Sequence, residues 1–144
     1  MTISTKGRYA LRIMMDLGSH MGETIKLKDI ATRQELSEKY MEQIIAVLNK
    51  AGYVRSNRGA QGGYQLVRNP EAYTVGMILR LIEGSLAPVE CLADSALPCD
   101  RHGKCATVEL YKRIYDAVNQ VVDNMSLQDL LDIETQKAAS DFVI

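Results

Sequence analysis

Apolar residues recur at helical spacing along most of the chain, and the pattern breaks once into alternation. From Thr5 to His20, Tyr9, Ala10, Ile13, Met14 and Leu17 fall on one stripe, and Gly18 with Gly22 marks its end. A shorter helix fits Leu27 to Arg33, with Leu27, Ile30 and Ala31 inward, and Gln34-Glu35-Leu36 makes a tight connection. Ser37 is then a suitable N-cap, and Glu38 puts an acid in the first turn, where the helix dipole favours it. This third helix runs to about Lys50 on an inward face of Met41, Ile44, Ile45 and Leu48, and Gly52 terminates it.

Beyond Gly52 the period changes. Tyr53 to Asn57 alternates like a strand, as does Tyr64 to Val67, and Arg58-Gly59-Ala60-Gln61-Gly62-Gly63 between them forms a glycine-rich hairpin tip. Three helices followed by a two-stranded hairpin is the order of a winged helix-turn-helix. The predicted class is therefore mainly α, a winged helix-turn-helix with a two-stranded wing. After Asn69-Pro70, Thr74 caps a short helix reaching about Glu83. A loop follows from Gly84 to Lys104, and a loop of that length inside a compact domain is usually functional or disordered. A long helix from about Ala106 to Asn124 carries the stripe Leu110, Tyr111, Ile114, Ala117, Val118, Val121, Val122 and Met125, broader than burial against one small domain needs. Ser126-Leu127-Gln128-Asp129 resembles a capping box and opens a last short helix, and residues 136–144 read as a tail.

Charge adds a division that the overall balance hides. The 144 residues carry a formal net charge of −1, yet residues 1–68 hold 11 Lys and Arg against 6 Asp and Glu, and residues 69–144 hold 6 against 12. A basic half joined to an acidic half implies two jobs, one of them with a polyanion. No run approaches the length of apolar sequence that spans a membrane, and the N-terminus lacks the pattern of a signal peptide. Two histidines without a Ser–His–Asp context, and no phosphate loop, argue against an enzyme.

The basic half has the features of a DNA reader. In a helix-turn-helix the second helix enters the major groove, and its N-terminal residues meet base edges. The outward residues there are Ser37, Lys39, Tyr40 and Gln43, donors and acceptors for phosphates and bases. Tyr40 or Tyr53 taken alone reads equally well as a packing residue. Glu42 is the awkward member, repelling phosphate yet able to accept from a cytosine amino group. From Gln43 to Pro70 there is no acid, while Lys50, Arg55, Arg58 and Arg68 are present. A glycine-rich tip lets backbone approach DNA closely, and Arg58 at its root can enter a narrow minor groove. Gly59, Gln61 and Gly62 belong to that wing, and Lys6 and Arg8 add phosphate contacts from the first helix.

The acidic half holds all three cysteines, Cys91, Cys99 and Cys105, spaced C-x7-C-x5-C. An odd count within so short a stretch is a poor disulfide framework and a suitable soft-ligand cluster in a reducing cytoplasm. Thiolates on a flexible loop hold iron–sulfur clusters, and a histidine or carboxylate can replace one of them. Pro88, Pro98 and Gly103 help such a loop turn. His102 is the favoured fourth donor, imidazole being softer than carboxylate, with Glu109, Asp94, Asp100, His20 or a group from a partner subunit as alternatives. Structural zinc and a thiol switch are the competing uses of the same thiols.

Ile3 to Ala10, Leu36-Ser37 through Tyr40-Met41-Glu42-Gln43, and Arg58 to Tyr64 together resemble the bacterial family of winged-helix regulators that includes IscR, CymR and NsrR. Ile82-Glu83-Gly84 through Pro88-Val89-Glu90 also looks like that family, and the likeness covers essentially residues 1–130. The resemblance implies a cytoplasmic, homodimeric regulator on a pseudo-palindromic double-stranded operator. It implies DNA contacts from Ser37, Lys39, Tyr40, Gln43 and Arg58, with Glu42 matching an acid by which IscR-like members discriminate between operator classes. The cysteines match the positions of an iron–sulfur cluster, two-iron by likeness to IscR with four-iron as the alternative, and cluster-assembly proteins would be the donors. IscR-like members have a shorter first interval and a histidine where this chain has Val108. CymR-like members lack the cluster cysteines and are partnered with a metabolic enzyme. The resulting division is a DNA-binding domain over 1–83, a sensor loop over 84–105, a dimerisation helix and short final helix over 106–135, and a tail over 136–144.

Overall fold

Ser4 opens the first helix. Its hydroxyl accepts from the Gly7 N–H at 3.0 Å, an N-cap, and α1 then runs Thr5–Gly18. The computed structural model describes residues 2–94, 97 and 99–142, so Pro98 and residues 143–144 of the expected tail lie outside the described residues. The second helix, α2 (Leu27–Gln34), ends at Glu35, a non-glycine residue in the left-handed region (φ 55°), and α3 (Glu38–Lys50) follows with Ser37 as its cap. Gly52 (φ 79°) turns the chain into β1 (Val54–Asn57), which pairs antiparallel with β2 (Gly63–Leu66) in the register Val54–Leu66 to Asn57–Gly63.

The wing is stitched to the helices. Ile25 and Tyr64 exchange backbone hydrogen bonds of 2.8 and 2.7 Å, so the α1–α2 connection adds a single antiparallel bridge along the other edge of β2. Tyr73, fully buried, donates its hydroxyl to the Tyr53 carbonyl at 2.7 Å and accepts from the Arg68 N–H at 3.0 Å. A buried phenol is thereby satisfied at both lone pair and proton. Ala10, Ile13, Met14, Leu17, Ile30, Met41, Ile44 and Leu48 form the core with Val54, Leu66 and Ile78. The stripes predicted for α1, α2 and α3 are the faces turned to this core.

Thr74 caps α4 (Val75–Glu83), and α5 spans Ala106–Asp123. Between them the chain is not wholly irregular: short 3-10 turns occupy Glu90–Leu92 and His102–Lys104. Ser126 and Asp129 form the reciprocal box expected, with hydrogen bonds of 3.0 and 2.9 Å, and open α6. The final helix is longer than the sequence pattern suggests. It extends over Leu127–Phe142, so residues 136–142, expected as tail, are helical. Glu134, Gln136, Lys137, Ala138 and Ala139 have good helix propensity, and no Gly or Pro interrupts them. What they lack is an apolar period, because that half of α6 faces solvent.

The start of α6 belongs to the winged-helix core. Leu127 is fully buried there, worth about 1.5–3 kcal/mol by burial alone. Its N–H donates to the Tyr73 carbonyl at 2.8 Å. The stripe of α5 is only partly covered: Val122 packs on Val75 and Leu79, but Leu110 and Val121 are 55% and 60% exposed. Among the described residues no helix is long and apolar enough to cross a membrane.

Candidate functional site

The first turn of α3 is held on the body by aromatic packing. Met41, Ile44, Ile45 and Leu48 face inward, which leaves Lys39, Glu42 and Gln43 exposed on the opposite side. Ser37 is exposed but already employed, accepting from the Tyr40 N–H at 3.4 Å to cap the helix. The Tyr40 ring meets that of Tyr9 edge to face, with centroids 5.6 Å apart, and Arg12 lies over the Tyr9 ring at 5.6 Å. Tyr40 is therefore half-buried packing along its ring, leaving its hydroxyl as the part suited to a phosphate.

Lys6 and Arg8 sit in the first turn of α1, whose next residue, Tyr9, touches α3. Arg8 is exposed and donates to Thr5 Oγ1 at 3.1 Å, while Lys6 is half-buried. At the wing tip Arg58, Gly59 and Gln61 are exposed, and Gly62 donates its N–H to the Gly59 carbonyl at 2.9 Å. Gly59 has φ 107°, and a Cβ on Gly62 would lie 2.8 Å from the Gly59 oxygen, so both positions require glycine. Among the described residues Lys6, Arg8, Lys39, Lys50, Arg55 and Arg58 make none of the salt bridges. Their charges are unneutralised, as a polyanion site needs.

Behind this surface lies a polar network that composition did not reveal. Asp16, 4% exposed, accepts from Arg33 Nε and Nη2 at 3.0 and 2.7 Å and from Gln34 Nε2 at 3.0 Å. Arg12 donates through Nε to Gln34 Oε1 at 3.2 Å and through Nη2 to the Gln34 carbonyl. Asp16, Gln34, Arg12, Tyr9 and Tyr40 thus form a continuous chain of contacts from the core to the first turn of α3. The sequence signal was an acid beside the apolar stripe of α1, with arginine and glutamine following in α2.

The cysteines occupy two turns and a helix start. Cys91 is exposed in the Glu90–Leu92 turn, and Cys99 is exposed and linked to His102, whose N–H donates to the Cys99 carbonyl at 3.0 Å. Cys105, half-buried, immediately precedes α5, and its sulfur lies 3.2 Å from Thr107 Oγ1. The Thr107 hydroxyl first, then the Val108 N–H at the helix start, hold the Cys105 thiol below its ordinary pKa. Iodoacetamide at neutral pH should accordingly modify Cys105 faster than Cys91 or Cys99, as followed by peptide mass spectrometry. Equal rates at the three thiols would contradict that activation.

By donor chemistry the set suits a soft metal or an iron–sulfur cluster, with three thiols unpaired in disulfides and an exposed imidazole. By position the set is open: among the described residues no three His, Cys, Asp or Glu side chains gather at one point. Two alternative donors are engaged elsewhere, Glu109 with Lys112 at 3.4 Å and His20 Nδ1 with the Asp16 carbonyl at 2.7 Å. Asp94 and Asp100 are exposed, and Val108 is buried.

A family model described as Rrf2, iron-dependent transcriptional regulator, matches residues 3–133. The HTH-type transcriptional regulator CymR of Bacillus subtilis is 48% identical over 131 residues, covering 90% of this chain and 89% of that protein. The solved structure of CymR, the global cysteine regulator of B. subtilis, superposes with a TM-score of 0.77 at 44% identity, over 92% of this chain and 98% of that one. T. potens IscR superposes with a TM-score of 0.76 at 41% identity, over 93% and 88% of the two chains.

Proposed function

This chain belongs to the Rrf2 family of transcriptional regulators, which are DNA-binding proteins and not enzymes, and from that premise we propose a cytoplasmic homodimer whose operator binding is set by an iron–sulfur cluster on the cysteine loop. The observation that carries the DNA half is the free outward face of α3, with Lys39, Glu42 and Gln43 exposed while the opposite face is core. Ser37 and Tyr40 flank it, Lys6 and Arg8 supply phosphate contacts, and Arg58, Gly59, Gln61 and Gly62 form the part of the wing that reaches the adjacent groove. A homodimer covers the stripe of α5 left bare by Leu110 and Val121, and two copies match a pseudo-palindromic operator.

Cys91, Cys99 and Cys105, with His102, are the residues that would hold the cluster. Its chemistry there is that of a redox-responsive group whose binding orders the loop. A two-iron cluster is favoured and a four-iron cluster is the alternative, with cluster-assembly proteins as donors and their genes as the regulated set. A second reading has a specific observation behind it, the 48% identity to CymR, and replaces the cluster with a metabolic enzyme as the controlling partner.

Anaerobic treatment with ferrous iron and sulfide separates these readings. The protein should take up both and gain visible absorption, and serine in place of Cys91, Cys99 or Cys105 should abolish the uptake. Zinc without iron or sulfide in protein isolated anaerobically would assign the thiols to a structural metal. Uptake unchanged in a triple-serine variant would eliminate the cluster. Selection from a random duplex pool should enrich a pseudo-palindrome, and absence of enrichment would refute the operator model.

A further inference from the structure

The loop that bears the cysteines begins immediately after Glu83, the last residue of α4, at the left-handed Gly84 (φ 82°). Glu83 is tied across the molecule to the start of α1. Its Oε1 accepts from the Ser4 N–H at 3.0 Å and from the Ser4 hydroxyl at 2.6 Å. The same hydroxyl accepts from the Gly7 N–H at 3.0 Å and caps α1. Gly7 is buried against this carboxylate, and any Cβ there would collide with Glu83 Oε1. One carboxylate oxygen therefore fixes the helix turn that presents Lys6 and Arg8.

Beside this clamp lies a mostly apolar cavity of about 460 Å³, bounded by Ile3, Leu79, Glu83, Leu86 and Val118. It touches the N-terminal segment, α4, the loop root and α5 at once. Leu11 of α1 and Leu86 of the loop root pack on the same Val75–Leu79–Val122 cluster, and the polar link beside the cavity is Glu83 to Ser4.

We propose that Glu83 is a positioning residue that couples the state of the cysteine loop to the DNA-contacting first turn of α1, through its paired hydrogen bonds to Ser4. The inference rests on the cysteine loop being the sensor. Ordering the loop shifts Gly84, and with it the carboxylate that holds Ser4. The cap of α1 and the placement of Lys6 and Arg8 follow. Coupling of this kind is a ratio of affinities in two states, so it is measured as one.

The test measures Kd for the selected duplex at one salt concentration, in iron-free protein and in protein treated anaerobically with ferrous iron and sulfide. Amide exchange over residues 2–12 is followed in both states. The natural protein should show a ratio of about tenfold and altered exchange in that segment. Glu83→Ala should bring the ratio within about twofold and remove the exchange response, whereas Glu83→Gln, which keeps the accepting oxygen, should retain both. Ser4→Asp provides a second break: aspartate still caps a helix but repels Glu83, and any general loss of affinity cancels in the ratio. A ratio and an exchange response that survive Glu83→Ala and Ser4→Asp would overturn the clamp and leave the sensor reading intact. An absence of both in the natural protein would overturn the two together.

Discussion

Asp16→Ala should lower the unfolding free energy by about 2–3 kcal/mol, the largest stability loss expected from any exposed or polar position in the helix-turn-helix. The carboxylate is 4% exposed and accepts three hydrogen bonds, two of them from a guanidinium. Breaking a fully buried pair leaves a stranded charge and costs about 3–5 kcal/mol, but Arg33 is 40% exposed and rehydrates, so the lower range applies. Gln34 loses its acceptor and a small cavity opens. Urea unfolding at one protein concentration should show a lower midpoint with an unchanged slope, and a difference below about 0.5 kcal/mol would refute the assignment. The pH dependence has a definite sign. Burial pushes the Asp16 carboxyl up, yet the hydrogen bonds from Arg33 and Gln34, with the charges of Arg33 and His20, outweigh it and bring the pKa below 3.8. The ionised form is the one the fold prefers, so its contribution is complete above 3.8 and fades as pH falls through the lower folded value. The gap between natural and variant stability should therefore be flat near neutrality and shrink in acid.

That network also shows where sequence patterns stop. Stripes such as Met41, Ile44, Ile45 and Leu48 are legible because burial repeats with the helix, and the wing because alternation and glycine punctuation are local. Asp16 lies 17 residues from Arg33, and Ser4 lies 79 from Glu83. Neither spacing has a period, so only the fold pairs them. Leu127 sits in the winged-helix core although it follows the long α5, because β-like contacts of Thr74 with Ser126 return the chain to Tyr73. The end of α6 reads as tail in the sequence for the converse reason: propensity without an apolar face supports a helix but leaves no periodic signal. The DNA-reading candidates were legible as residue types at the start of α3, but Ser37 is employed as a cap and the Tyr40 ring as packing. The cysteine spacing is visible in sequence, whereas convergence of the sulfurs is a property of position.

Gly63→Ala should weaken operator binding by at least about tenfold and cost about 2–3 kcal/mol of stability, because it attacks the joint between the wing and the helices. A Cβ at that position would lie 2.6 Å from the Ile25 carbonyl carbon and 2.9 Å from the Lys26 nitrogen, both backbone atoms that no rotamer change can move. Relief requires opening the Ile25–Tyr64 bridge, with loss of two backbone hydrogen bonds at about 0.5–1.5 kcal/mol each and displacement of β2. Asn57, paired with Gly63 and donating to Thr24 Oγ1 at 3.0 Å, moves with it, and so does Arg58 next in the chain. Arg58→Ala supplies the contrast. It removes an exposed side chain from an intact wing, so stability should hold within about 0.5 kcal/mol while DNA affinity falls. If Arg58 neutralises a phosphate, the slope of log affinity against log salt should become shallower by about one. Melting and binding measured on both variants thus distinguish a wing that is held in place from a wing that makes contact. Unchanged operator affinity in both would mean that the hairpin does not reach DNA, and the exposed face of α3 would have to supply the specificity alone.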